Sequence, residues 1–142
     1  MSINLKLKII TPEKTVFDEI VSQITLPTTE GEITILPGHI PLISALSKGD
    51  IVAVIDGEYV PFAVVGGFIK VERDEVAVLA DFAEHVGEIT EDAISKAEVR
   101  AKELEKQFEN KEVVDFEHFE SELERSLTRV KIADKWKSKK YR

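Results

Sequence analysis

Along the first half of the chain, apolar and polar positions alternate with a period of two. Leu5, Leu7 and Ile9 interleave with Lys6, Lys8 and Ile10, which predicts a half-buried strand. Short runs rich in valine and isoleucine follow at Val16-Phe17, Val21–Leu26, Glu32–Leu36, Pro41–Leu46, Ile51–Ile55, Tyr59–Val65, Phe68–Val71 and Val76–Ala80. Turn residues separate them. Asp56-Gly57 between two apolar runs predicts a two-residue hairpin, and Arg73-Asp74 a second tight reversal. Gly66-Gly67 predicts a bulge or a close backbone approach inside the sheet. Repeated short strands with no helix between them predict an antiparallel β-sandwich or barrel of about 8–10 strands rather than a parallel sheet.

The period then changes. Thr90 is placed as an N-cap, with Glu91 and Asp92 in the first helical turn and Ile89 and Ile94 spaced as a hydrophobic staple. Ala93, Ile94, Ala97, Ala101, Leu104 and Phe108 then recur at helical spacing and predict a helix over about 91–108. Asp115 caps a second helix over about 116–136, with Val114 and Phe119 as its staple. Its stripe runs through Phe116, Phe119, Leu123, Leu127, Val130, Ala133 and Trp136. Two amphipathic helices with a short joint predict an antiparallel α-helical hairpin. The alanines bury little area each, so the hairpin is expected to hold its place weakly and to separate while the sheet stays folded, the alternative being a permanently docked tail.

Composition sharpens the boundary. All 5 prolines and all 7 glycines of the 142 residues lie at or before Gly87. The sequence therefore divides into a β-domain over 1–86 and a helical hairpin over 87–142. The net charge of −8 argues against nucleic acid as a partner. The absence of cysteine excludes disulfide scaffolds, thiol catalysis and zinc–thiolate sites. No apolar run approaches the roughly 20 residues of a membrane span, so membrane contact is expected to be indirect. His39, His85 and His118 lack ligand-spaced neighbours, no serine or threonine has a base beside it, and neither a metal site nor a catalytic residue is expected. Acids crowd residues 109–124, whereas Arg125, Arg129, Lys131, Lys135 and further cations follow them. Part of this sorting complements the helix dipole. The rest reads either as a solvated face or as a basic tip able to meet an acidic surface.

One stretch carries a resemblance. The run from Glu30 to Leu42, EGEITILPGHIPL, with Gly66-Gly67-Phe68 and Val78-Leu79-Ala80-Asp81 downstream and Ile10-Thr11-Pro12-Glu13 upstream, closely resembles the epsilon subunit of F-type ATP synthases of the bacterial type. The resemblance spans both halves of the chain. It implies a non-catalytic rotor subunit that joins the gamma subunit and the c-ring, couples proton-driven rotation to ATP synthesis by the alpha and beta subunits, and sits peripherally at the cytoplasmic face of the membrane. It implies a c-ring and gamma interface at Glu30, Gly31, Glu32, Leu36, Pro37, Gly38, His39 and Pro41. It also implies that the hairpin inhibits ATP hydrolysis by turning Arg125, Arg129, Lys131 and Lys135 to an acidic loop of the catalytic subunits.

Some members of that family bind ATP on the folded hairpin. Ile89, Arg100, Arg125 and Arg129 match positions used there, but Thr90 replaces an aspartate and Ala93 an arginine. Such anchors contribute about 1.5–3 kcal/mol each when bonded to a charged group. Weak or absent ATP binding is therefore expected, and no resident cofactor. The alternative reading is a stand-alone ATP-sensing module of the same fold.

Overall fold

The computed structural model describes residues 4–109 and 116–138. Eight strands come first: β1 (Leu5–Ile10), β2 (Thr15–Val21), β3 (Gln23–Thr28), β4 (Gly31–Ile35), β5 (Leu42–Ala45), β6 (Gly49–Ile55), β7 (Glu58–Glu72) and β8 (Glu75–His85). Their order is β2-β1-β8-β7-β6-β3-β4, with β5 also paired to β7. The sheet ends at β2 and β4 and folds over itself as an open sandwich, not a closed barrel. Every pairing is antiparallel except β1 against β8, where Lys6–Ile10 run parallel to Glu75–Leu79.

The alternation in β1 does what it predicts, and Leu5, Leu7 and Ile9 are fully buried. They meet Ile24, Leu26, Ile35, Phe62, Ile69 and Val78 in one core. No hairpin residue belongs to that core among the described residues. Asp56 and Gly57 both adopt positive φ (51° and 80°), the conformation of a tight type I′ turn.

The runs at Tyr59–Val65 and Phe68–Val71 form one strand of 15 residues, not two. Gly66 and Gly67 bend it without ending it, at φ 65° and 121°. A Cβ on Gly67 would stand 2.0 Å from the Leu79 carbonyl oxygen, so the close approach of β7 to β8 requires glycine there. The bend reverses which positions face inward. Phe62 and Val64 are buried before it, and Ile69 and Val71 after it. Phe68 is thereby turned outward.

A 3-10 turn at Val86–Glu88 leads to α1 (Glu91–Glu109), and α2 (Phe116–Ser138) returns beside it. The Ala93 amide donates to Thr90 Oγ1 at 3.0 Å, which is the expected cap. Ile89 and Ile94 share a buried cluster with Ala133. The second cap, Asp115, and its staple residue Val114 lie outside the described residues. Two members of the expected stripes are exposed, Phe108 on α1 and Leu127 on α2. Phe108 still stacks on Phe119, with ring centroids 5.7 Å apart. Leu127 points out because α2 buries two adjacent faces instead of one stripe. Phe119 and Ala133 turn toward α1, while Thr128, Ile132 and Trp136, four residues apart, turn toward the sheet.

Candidate partner interfaces on the sandwich and the hairpin

The residues expected at one tip occupy two ends of β4. Glu30 and Gly31 form the β3–β4 turn, where Thr28 Oγ1 accepts from the Glu30 amide at 3.2 Å, and Glu32 pairs with Pro27. Leu36, Pro37, Gly38, His39 and Pro41 lie beyond the other end of the strand. There the Gly38 amide donates to Asp74 Oδ1 at 2.9 Å, which ties this loop to the β7–β8 turn. Five residues separate the ends, about 17 Å at the rise of a strand. His39 is held by its own loop: its amide donates to the Leu36 carbonyl at 3.1 Å, and its Nδ1 lies 2.6 Å from the Ile40 carbonyl oxygen. Leu36 and Ile40 beside it are exposed.

A larger exposed apolar area lies on the outer face of the sheet. Ladder partners place Ala45, Phe68, Leu79 and Ile10 in one row across β5, β7, β8 and β1. The adjacent row on the same face is Ile43, Lys70, Ala77 and Lys8. Ile43, Phe68 and Leu79 are 73%, 61% and 54% exposed. Single exposed apolar residues are ordinary, but a contiguous row across four strands marks a surface for a partner. The sequence hides this row, because Phe68 faces out only after the double-glycine bend.

Further along the same strands α2 is docked. Asp50, Ala63 and Glu84 form one row across β6, β7 and β8. Asp50 Oδ2 accepts from Lys135 Nζ and from Trp136 Nε1, each at 2.8 Å. Glu84 Oε1 accepts from Arg129 Nη2 at 2.9 Å. Arg125 Nη2 donates to the Asp81 carbonyl at 3.3 Å, and the guanidinium stands 5.6 Å from the Phe82 ring centre. Lys131 is exposed on the helix. Three of the four basic residues expected to meet a partner thus already meet the sandwich. Asp50 and Glu84, which receive Lys135 and Arg129, do not stand out in the sequence, where they lie far apart on β6 and β8.

The positions matching an ATP site are not gathered around one cavity. Ile89 is buried under the hairpin. Arg100 donates from Nε and Nη2 to the two oxygens of Glu122, at 2.6 and 3.2 Å, and from Nη1 to Glu103 at 3.3 Å. The Arg100 hydrogen bond, with the charge behind it, holds the Glu122 carboxyl below the usual glutamate range, and Glu122 in turn raises the Arg100 guanidinium. Arg125 lines a cavity of about 390 Å³ with Lys14, Glu84, His85 and Glu88, so cations and carboxylates are mixed there. Among the described residues no group of histidines and carboxylates could hold a metal ion. Among the described residues no helix is long and apolar enough to cross a membrane.

An open sandwich with an apolar outer row and a helical arm clipped to its side defines a subunit made to contact other proteins. Residues 4–86 match the family described as ATP synthase, Delta/Epsilon chain, beta-sandwich domain. The chain belongs to the ATP synthase epsilon chains, which are non-catalytic subunits. It is 36% identical over 135 residues to the ATP synthase epsilon chain of Syntrophobacter fumaroxidans, covering 95% of this chain and 99% of that one. It is 41% identical over 133 residues to that of Dehalococcoides mccartyi, covering 92% and 93%. The fold is also similar to a chain in the mitochondrial ATP synthase of Euglena gracilis, from a structure of OSCP, F1 and the c-ring. There the TM-score is 0.64 at 20% identity, over 97% of this chain and 82% of that chain.

Proposed function

We propose that this epsilon chain is a rotor subunit of the central stalk, passing proton-driven rotation of the c-ring to the catalytic headpiece, with its hairpin restraining ATP hydrolysis. The observation that carries the reading is the apolar row Ala45, Phe68, Leu79 and Ile10, left open on a sandwich whose core is otherwise closed. Burying such a row against the gamma subunit would give a grip across four strands, and each large side chain buried adds about 1.5–3 kcal/mol. The loops at Glu30–Glu32 and Leu36–Pro41 are the free ends left to meet the c-ring. The protein then lies at the cytoplasmic face of the membrane, held there through the complex.

The hairpin supplies the restraint. In a released position Arg125, Arg129, Lys131 and Lys135 would face an acidic loop of the alpha and beta subunits. Co-purification with the gamma subunit tests the first half of the reading. Phe68→Glu is expected to abolish it while leaving the fold intact, and undiminished binding by that variant would remove the apolar row from the account. Deleting residues 88–142 is expected to raise ATP hydrolysis in a reconstituted complex without loss of assembly, and unchanged hydrolysis would remove the restraining role.

No resident cofactor belongs to this reading. Arg100 and Arg129 are already committed to Glu122 and Glu84, which counts against a nucleotide-sensing module. Thermal stabilisation of the isolated chain by ATP would reverse that judgement.

A further inference from the structure

We propose that Asp74 is a positioning residue for the loop at 36–41, fixing it in the shape that presents Leu36 and Ile40 to a partner. The inference rests on the stalk reading and deepens it, by naming the residue that readies this loop for the c-ring. The loop crosses from β4, which pairs with β3, to β5, which pairs with β7. None of residues 36–41 is buried. Leu36 and Ile40 are 52% and 74% exposed, so the side chains that could anchor the loop in the core point to solvent instead.

Polar bonds hold the loop in their place. Two are internal, from the His39 amide to the Leu36 carbonyl and between His39 Nδ1 and the Ile40 carbonyl oxygen. They shape the loop without tying it to anything else. Its side-chain tie to the sandwich, among the described residues, is the Gly38 amide donating to Asp74 Oδ1 at 2.9 Å. Asp74 is well placed to hold it. It lies in the reversal between β7 and β8, and its own carbonyl accepts the Lys6 amide of β1 at 2.8 Å. The carboxylate thus hangs from three paired strands and reaches 36 residues back to the middle of the loop. The strand that begins at the next residue carries Leu79, so the tie and the apolar row share β8. A backbone N–H bonded to an ionised carboxylate makes a stronger contact than one between neutral groups. This one is open to solvent, so its loss is expected to free the loop without unfolding the sheet. A loop fixed before contact loses less conformational freedom on binding, and that difference is what Asp74 supplies.

The full chain paired with the gamma subunit, with the purified c-ring as probe, tests this. In D74A we expect protection of the Gly38 and His39 amides to fall about tenfold and affinity for the c-ring about three- to tenfold. The urea midpoint and gamma binding are expected to stay unchanged. D74N keeps an acceptor oxygen and is expected to behave as the unaltered chain does. L36S/I40S is expected to weaken the c-ring contact by itself, and D74A added to it to cost nothing further, because Asp74 acts through the loop. Undiminished Gly38 protection in D74A would overturn the proposal, as would lost protection with full c-ring affinity, or D74N no better than D74A. So would additive losses in the triple variant, and that cycle decides the matter should D74A lower the urea midpoint. If L36S/I40S leaves the c-ring contact intact, the proposal falls together with the loop's place at the c-ring. If that variant weakens the contact and D74A does not, the stalk reading stands and the proposal alone falls.

Discussion

Gly66 and Gly67 sit side by side and tolerate change very differently. A Cβ on Gly66 would come 2.5 Å from Asp81 Oδ2, the end of a side chain that can turn away. On Gly67 it would meet the backbone of Leu79 and Ala80, which cannot move without breaking the ladder. Gly66→Ala should cost about 1 kcal/mol, the usual charge for a left-handed residue. Gly67→Ala should cost about 2–4 kcal/mol, from the clash and a φ that only glycine adopts freely. Urea unfolding of the two variants checks the ordering. Gly67→Ala should also disturb the outward turn of Phe68, so it should weaken gamma binding beyond its effect on stability. The glycine pair announced a close approach in the sequence. Its consequence for Phe68 did not show there, because reversing the facing of a strand depends on the partner across the ladder.

The helices depend on their caps and on each other. Thr90→Ala removes the acceptor for the Ala93 amide and should cost about 1 kcal/mol, read as lost protection in the first turns of α1. Arg100 and Glu122 tie α1 to α2 and give the hairpin a pH dependence. Because Glu122 titrates below the ordinary glutamate range when folded, its contribution is complete above that range and is lost as pH falls through the lowered value. The pair is partly exposed, so the effect should stay under about 1 kcal/mol. Protection of α1 and α2 followed from neutral to acid pH should show a slope that Glu122→Gln removes. The first helix was legible in the sequence from Thr90, Ile89 and the alanine spacing, and the second from its apolar stripe through Phe119, Leu123, Val130 and Ala133. The burial of Thr128 and Ile132 was not, since a helix packed on two sides blurs a single apolar stripe. Arg129 and Lys135 read as a solvated or partner-facing run until Asp50 and Glu84 were brought beneath them.

For the whole molecule, the sandwich and the hairpin bury largely separate apolar clusters. The sandwich interior draws on β1 through β8 alone, whereas α2 leans on the outside of β6 and β7. A chain ending at Gly87 should therefore fold, with cooperative urea unfolding and strand protection close to that of the full protein. Loss of cooperativity would mean that the hairpin completes the body. The β-sandwich class was readable from alternation and turn residues, although Gly66-Gly67 made one strand read as two. The parallel pairing of β1 with β8 was not, because nothing local in Leu5–Ile10 records which distant strand lies beside it.

That pairing bears on how the protein is made. Strand β1 can pair with β2 once Val21 has been synthesised, but its other edge has no neighbour until Glu75–Leu79 follows. Until then the nascent chain carries an unprotected strand edge, and sandwich closure waits on one long-range event. The arm emerges after β8, onto a body only just completed.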